Sequence, residues 1–302
     1  MEGPFLEAVR YLPLRLRAAA LGLTEEDQAR CEELRFRAGR GVFWLAEGRA
    51  RPLMAAEGPV EAAGEDLRRV VELCTQASFH TALDQFRDGF LPLRGGHRLG
   101  LCGTAAVRGG AVINLRELSS LALRIARPVP GVGEALLPRL RCGGGVLSTL
   151  ILAPPGGGKT TLLRDLVRAL STGGGDSPPL RTALADERGE VAALWRGEPQ
   201  LDVGQADVMD GCPKAAALLM LLRSMNPQVL AADEITAPED VDALGMAANC
   251  GAAVVATAHG TGVEDLLRRP LYQRLWDRKV FRRLVTIRME GGRRCYAVEE
   301  LP

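Results

Sequence analysis

Apolar and polar residues follow two different rhythms along this chain of 302 residues. Through about residue 125 they change quickly. Phe5–Ala19 and Glu25–Cys31 have helical spacing, and Pro13 predicts a kink or break in the first because its ring clashes with the preceding turn. Glu33–Phe36 and Val42–Leu45 predict short strands, with Gly39 and Gly41 at the turn between them. Glu65–Ala77 and Phe79–Arg87 return to helical spacing. After Asp88-Gly89, the stretches Phe90–Arg94, Leu99–Val107 and Ala111–Leu115 predict a run of strands, with Gly109-Gly110 as a hairpin turn. Residues 116–135 are expected to cross to a second domain, Pro128 and Pro130 opposing a continuous helix there.

From about residue 136 the rhythm slows. Val146–Leu152, Arg181–Asp186, Val229–Asp233, Ala252–Thr257 and Leu284–Met289 are apolar runs separated by helix-compatible stretches. Strands buried on both faces need no alternation, so this pattern predicts a parallel α/β sheet. Ser171–Leu180 is a Gly/Pro-rich surface connection. The expected division is residues 1–125, a mixed α/β regulatory or assembly domain, and residues 126–302, an α/β domain that includes the connection. There is no internal repeat.

Composition narrows the function classes. A formal net charge of +1 gives no general nucleic-acid surface. Ala216–Leu222 and Ala252–Ala256 are far too short to cross a membrane. Phe5–Leu21 lacks a signal-peptide core and cleavage pattern, and reads as the first helix of a folded domain rather than a membrane-surface helix. Seven cysteines, at 31, 74, 102, 142, 212, 250 and 295, form no C-x₂-C pair and have no histidine at zinc-finger spacing. They are expected to be buried free thiols in a reducing compartment.

The chemistry concentrates in Ala153-Pro154-Pro155-Gly156-Gly157-Gly158-Lys159-Thr160-Thr161. This stretch matches a Walker A loop apart from Ala153, which replaces the usual first glycine, and it stands between the apolar run Gly145–Leu152 and the helical stretch Thr160–Leu170. Backbone N–H groups of such a loop surround phosphates, and the following helix adds its positive dipole end. Lys159 is then placed for the outer phosphates and the Thr160 hydroxyl for Mg²⁺. A plain glycine-rich turn is the alternative, but lysine occurs only at 159, 214 and 279.

Gln228–Glu234 reads as a Walker B strand that delivers Asp233 to the sheet's C-terminal end, where ligands bind in open α/β folds. Asp233 suits Mg²⁺ through water, and Glu234 suits polarisation of an attacking water. Thr236 and Glu239 form a capping-box pattern for the next helix, with Pro238 in its first turn and Gly251 at its far end. His259 is expected to project from the end of a further strand, toward the terminal phosphate, as a sensor of nucleotide state. Asp186-Glu187-Arg188-Gly189-Glu190 gives the cleft a third polar edge, where Glu187 or Glu190 orients water or metal, or the run binds an arginine of a neighbouring subunit. The general base stays open among Glu187, Glu190 and Glu234. Arg116, Arg124 and Arg127 lie close to the crossover, and the arginine fork suits phosphate.

Several longer segments carry a family resemblance. They are Glu33–Arg40, Gly95–Gly100, Leu115–Leu121 with Arg124–Arg127, Asp186–Glu190, Asp207–Lys214, Leu222–Pro227, Asp233–Ile235 and Ala256–Gly260. Over residues 30 to 295 the chain resembles the stage III sporulation protein AA family, related to the hexameric ATPases of type II and type IV secretion and of type IV pili. The resemblance implies a RecA-like P-loop ATPase domain with a smaller mixed α/β N-terminal domain, using ATP and Mg²⁺. It also implies a homo-oligomer, a hexamer on the relatives' pattern, docked to membrane-embedded sporulation complex proteins. Its place would be cytoplasmic, on the mother-cell side, peripheral to the membrane through partners. In the relatives, the segment matching Asp186–Glu190 is an acidic box and the one holding His259 a histidine box. Arginines of their N-terminal domain help close the site, which brings in Arg116, Arg124 and Arg127.

Three functions compete: a hydrolysing motor or regulator, an ATP-binding assembly protein with little turnover, and a nucleic-acid-stimulated motor. The near-neutral charge and the lack of a DNA-reading element oppose the last, and no nucleic-acid partner is expected.

Overall fold

Pro13 breaks the first helical stretch in two, into α1 (Pro4–Val9) and α2 (Leu14–Leu21), because it cannot continue the backbone ladder of the first. The computed structural model describes residues 3–75, 89–127, 129–174, 177–291 and 293–302. The predicted helix Phe79–Arg87 and the predicted helix breaker Pro128 lie outside the described residues. The chain divides into two compact units, Met1–Arg127 and Pro128–Pro302.

The first unit continues with α3 (Glu25–Arg30), capped by Thr24, and then β1 (Glu33–Arg37), β2 (Phe43–Ala46), β3 (Arg49–Pro52) and α4 (Gly64–Cys74). It ends in β4 (Phe90–Pro92), β5 (Arg98–Arg108) and β6 (Ala111–Arg124). These strands form an antiparallel sheet of order β3-β2-β1-β6-β5-β4. Gly109 and Gly110, both at positive φ, turn β5 into β6.

Strand β6 corrects the sequence reading. Residues 116–124, expected in the crossover, belong to the strand: Leu121 lies opposite Phe36 and Leu123 opposite Leu34. All four side chains are buried, and the alternation of Leu121 and Leu123 with Ala122 and Arg124 extends the strand past Leu115. The arginine-rich β3 was missed because its four residues show no apolar pattern and are mostly exposed.

His97 also belongs to this core. Its Nδ1 accepts from the Ala126 N–H at 3.1 Å, while Nε2 is buried without a hydrogen-bond partner among the described residues, 3.9 Å from the Glu7 carboxylate. Burial pulls its pKa down to about 4. The folded state therefore favours neutral imidazole. The resulting stability is present above the unfolded value near 6.5 and is lost as pH falls toward 4, because the unfolded chain takes up the proton first. Going from pH 7 to pH 4 is expected to cost roughly 3 kcal/mol through this residue alone. Urea titrations of wild type and His97→Gln across that range check it: the variant's dependence on pH should be shallower by that amount, and an equally steep one would sink the assignment.

The second unit is built from α5 (Val132–Leu140), β7 (Thr149–Ala153), α6 (Lys159–Thr172), β8 (Thr182–Asp186), β9 (Asp207–Asp210) and α7 (Lys214–Ser224). There follow β10 (Val229–Ala232), α8 (Pro238–Asn249), β11 (Ala253–His259), α9 (Val263–Leu267), α10 (Pro270–Asp277), β12 (Arg283–Glu290) and β13 (Arg293–Glu300). The sheet order is β9-β8-β10-β11-β7-β12-β13, parallel except for the last pair. The five predicted strands sit side by side in its middle. Leu150 and Leu152 face one apolar layer with α7, α8 and α10, while Ile151 and Ala153 face the other with α5 and α6. Both faces are covered, so these strands read as unbroken apolar runs. The outermost strands, β9 and β13, are polar and partly exposed, and the sequence reading missed both.

All seven cysteines are free, but only Cys31 and Cys74 are buried; Cys102, Cys142, Cys250 and Cys295 are exposed. The expectation of buried thiols fails at the latter because they stand on strand edges and at a helix end. Among the described residues no helix is long and apolar enough to cross a membrane.

Candidate functional site

Strands β7, β8, β10 and β11 run parallel, so the loops leaving their C-terminal ends meet along one edge of the sheet. Ala153 lies opposite His259, and Ala185 opposite Ala232, one residue before Asp233. Sheet register alone brings the 153–161 loop, His259, Asp186 and Asp233 together. Ala153 is fully buried, and a Cβ on Gly157 would stand 2.6 Å from the Ala153 methyl. The methyl that departs from the glycine pattern thus occupies room left by Gly157.

Lys159, the first residue of α6, is 4% exposed. Its ammonium donates to the carbonyls of Ala153 and Pro154, each at 3.3 Å, and lies 2.9 Å from His259 Nδ1. An ammonium can only donate, so Nδ1 accepts and the proton of a neutral ring sits on Nε2. That nitrogen is 3.0 Å from Glu234 Oε1, and Arg188 holds Oε2 at 3.2 Å. Lys159, His259, Glu234 and Arg188 therefore form one polar chain. Burial pushes the Lys159 pKa down, against the pull of Glu234 and Asp233.

Asp233 is fixed from two sides. Thr160 donates to its Oδ2 at 2.8 Å and Thr257 to its Oδ1 at 2.5 Å. Burial nevertheless raises its pKa, the two hydroxyl bonds opposing. Glu234 has φ 49, costly for a side-chain-bearing residue, and its backbone is pinned. Its N–H donates to Thr257 Oγ1 at 2.8 Å, and its carbonyl accepts from Lys214.

The acidic segment divides its labour. Asp186 is buried and accepts from the N–H groups of Glu190, Val191 and Ala192 at 2.8–3.1 Å. Burial raises its pKa against those bonds. It shapes the loop, which Arg164 of α6 braces by donating to the carbonyls of Val191 and Glu190. Glu187 pairs with Lys214 at 3.3 Å, and Lys214 also lies 3.5 Å from Asp240.

Asp240 corrects the capping assignment. It accepts from the N–H groups of Thr236 and Ala237, the role that the capping-box pattern assigns to Glu239. The helix begins at Pro238, so the third residue inside it is Asp240. Arg164, Lys214, Thr257 and Arg188 had no site role in the sequence reading. Only Lys214 gave a signal, as one of three lysines in a chain rich in arginine, and it is as buried as Lys159.

Arg116, Arg124 and Arg127 all belong to the first unit. Arg116 is exposed on β6, and Arg124 lies 3.5 Å from Glu33. Arg127 donates to the carbonyls of Gln28 and Cys31, each at 2.7 Å.

The donors at Thr160 and Asp233 are a hydroxyl and a carboxylate, 2.8 Å apart, both hard oxygen ligands. They fit Mg²⁺, which takes one or two protein oxygens and completes its shell with water and phosphate. Among the described residues no three His, Cys, Asp or Glu side chains converge as a self-sufficient metal site.

The family model described as "Sporulation stage III, protein AA" matches residues 7–296. "Stage III sporulation protein AA" of Bacillus subtilis (strain 168) is 39% identical over 287 residues, 95% of this chain and 92% of that protein. The ATPase DotB of Legionella pneumophila has a similar fold, with TM-score 0.59 and 16% identity over 96% of this chain and 80% of that one. The pilus retraction motor PilT, solved with bound ADP, also gives TM-score 0.59 and 16% identity, over 89% of this chain and 78% of its own. The expected α/β fold class is borne out: the chain shares its fold with these solved structures, and the central sheet is parallel except for its last pair.

Proposed function

The chain belongs to the sporulation stage III protein AA family, and we propose that it is a Mg²⁺-dependent ATPase, a motor or regulator of a secretion-like membrane complex in endospore formation. The observation that carries this reading is the meeting of Lys159, Thr160, Asp233, Glu234 and His259 at one end of the parallel sheet. Backbone groups of residues 153–161 bind the phosphates, and Lys159 swings from its carbonyl partners to the outer ones. Thr160 and Asp233 hold Mg²⁺, which when bound offsets phosphate charge. Glu234 takes the proton of the attacking water, and His259, between Lys159 and Glu234, reports whether the terminal phosphate is present. Glu187, through Lys214, and Glu190, through the loop shaped by Asp186, position the acidic edge.

Arg116, Arg124 and Arg127 would complete the site from the N-terminal domain of a neighbouring copy in a homo-oligomer, a hexamer in this proposal. Membrane-embedded sporulation proteins are the partners, on the cytoplasmic mother-cell side, and nucleic acid is not one. A site that takes those arginines from a neighbouring copy is incomplete in the isolated subunit, which favours low turnover there. Specific activity measured over a protein concentration series should therefore rise as subunits associate. A flat, substantial activity would remove the oligomer from the mechanism, and ATP binding without turnover at any concentration would favour an assembly protein.

A further inference from the structure

Strand β13 carries a residue that the chemistry above leaves unused. Tyr296 and Val298 turn onto the apolar cluster that also holds Leu163 and Leu166 of α6. Side chains two apart on a strand share a face, so Arg294 extends this face one step further. There it meets the phosphate-loop segment. Its Nε, Cδ and Cζ atoms lie 2.9, 3.3 and 3.5 Å from where a Cβ on Gly158 would stand. Gly158 has φ 97, a backbone conformation that favours glycine, and the absent Cβ leaves the arginine room to approach the loop. No carboxylate pairs with Arg294 among the described residues, whereas Arg283, at the far end of the same strand pair, is paired with Glu300 at 3.2 Å.

Sheet order decides which end of a nucleotide this guanidinium meets. Asp186, Asp233 and His259 stand on or just beyond β8, β10 and β11, all on one side of β7; β12 and β13 lie on the other. A triphosphate with its terminal phosphate toward Lys159, Asp233 and Glu234 directs its nucleoside end toward β13. We propose that Arg294 is a nucleotide-binding residue that pairs with the α-phosphate within its own subunit. The guanidinium fork suits two phosphate oxygens, and β13 holds it beside the loop whose backbone binds the next phosphate. The inference rests on the nucleotide reading of the 153–161 loop.

Calorimetric titration of the full chain with ADP, ATP and inorganic phosphate tests it, using wild type, Arg294→Ala and Arg294→Lys. The alanine variant should lose on the order of tenfold in affinity for ADP and ATP alike, with the lysine variant recovering part. Inorganic phosphate, which fills the loop position alone and has no second phosphate to reach Arg294, should bind both variants as it binds wild type. In turnover assays KM should rise while kcat holds, because the contact is the same in ground and transition states. Unchanged ADP affinity in Arg294→Ala overturns the inference and leaves the loop reading standing. An equal loss for inorganic phosphate also overturns it, since the arginine would then act by shaping the loop. Failure of wild type to bind any of the three ligands overturns the loop reading and the inference with it.

Discussion

Lys159→Ala is expected to lower ATP turnover by at least 10²–10³-fold while the protein stays folded. The lysine is the cation at the N-terminal end of α6, and in the resting site it already lies within reach of the groups that surround a terminal phosphate. Its present partners are weak ones for an ammonium: two carbonyls at 3.3 Å and a neutral imidazole. A phosphate oxygen offers a full charge instead, so exchange of partners is downhill once nucleotide arrives. Burial, which lowers the lysine pKa, adds to this gain because the buried ammonium is short of negative charge. Alanine removes the cation without touching the loop backbone, so thermal melting should move little while phosphate release collapses. Turnover within a few-fold of wild type would refute the assignment of this loop.

This residue was legible in sequence because its signal is local. An apolar strand, a glycine-rich loop and a helix start follow one another within about twenty residues, and the fold has only to bring them out at a sheet edge. The five central strands were legible for a similar reason: burial on both faces leaves an unbroken apolar run. Edge strands were not. Asp207–Asp210 and Arg293–Glu300 become strands by pairing with a neighbour, and nothing inside those segments announces it. The same applies to the arginine-rich strand Arg49–Pro52 and to the far end of Ala111–Arg124, whose pairing with Glu33–Arg37 is a long-range contact.

Side-chain duties within the site divide along the same line. That Asp233 and His259 stand near the lysine follows from motif order and strand topology. That Asp186 is spent on three backbone N–H groups, or that Lys214 joins Glu187 to the Glu234 carbonyl, depends on loop conformations no pattern encodes. Asp240 replaced Glu239 as the helix cap for a related reason: the cap residue is set by where the chain enters the helix, and a shift of one position changes it.

The three carboxylates left equal by the sequence are no longer equal in space, and this gives the second large expected effect. Glu234→Gln should retain ATP binding and lose roughly 10²–10⁴-fold in turnover, the usual contribution of a positioned general base. Its carboxylate is the one linked through His259 to Lys159, and its neighbour Asp233 meets Thr160. The backbone at φ 49 is held by Thr257 and Lys214, so the side chain's direction is imposed by its surroundings. Glutamine keeps size and hydrogen-bonding shape but cannot take a proton from water, which separates loss of chemistry from loss of structure. Glu187 is instead paired with Lys214 and 40% exposed, so Glu187→Gln should cost less than about tenfold, through altered positioning rather than lost chemistry. Single-turnover phosphate release by the two variants, beside their ATP affinities, decides between Glu234 and Glu187. A larger loss in Glu187→Gln than in Glu234→Gln would transfer the base to the acidic segment. His259 would then connect Lys159 to a carboxylate that senses the phosphate without reacting.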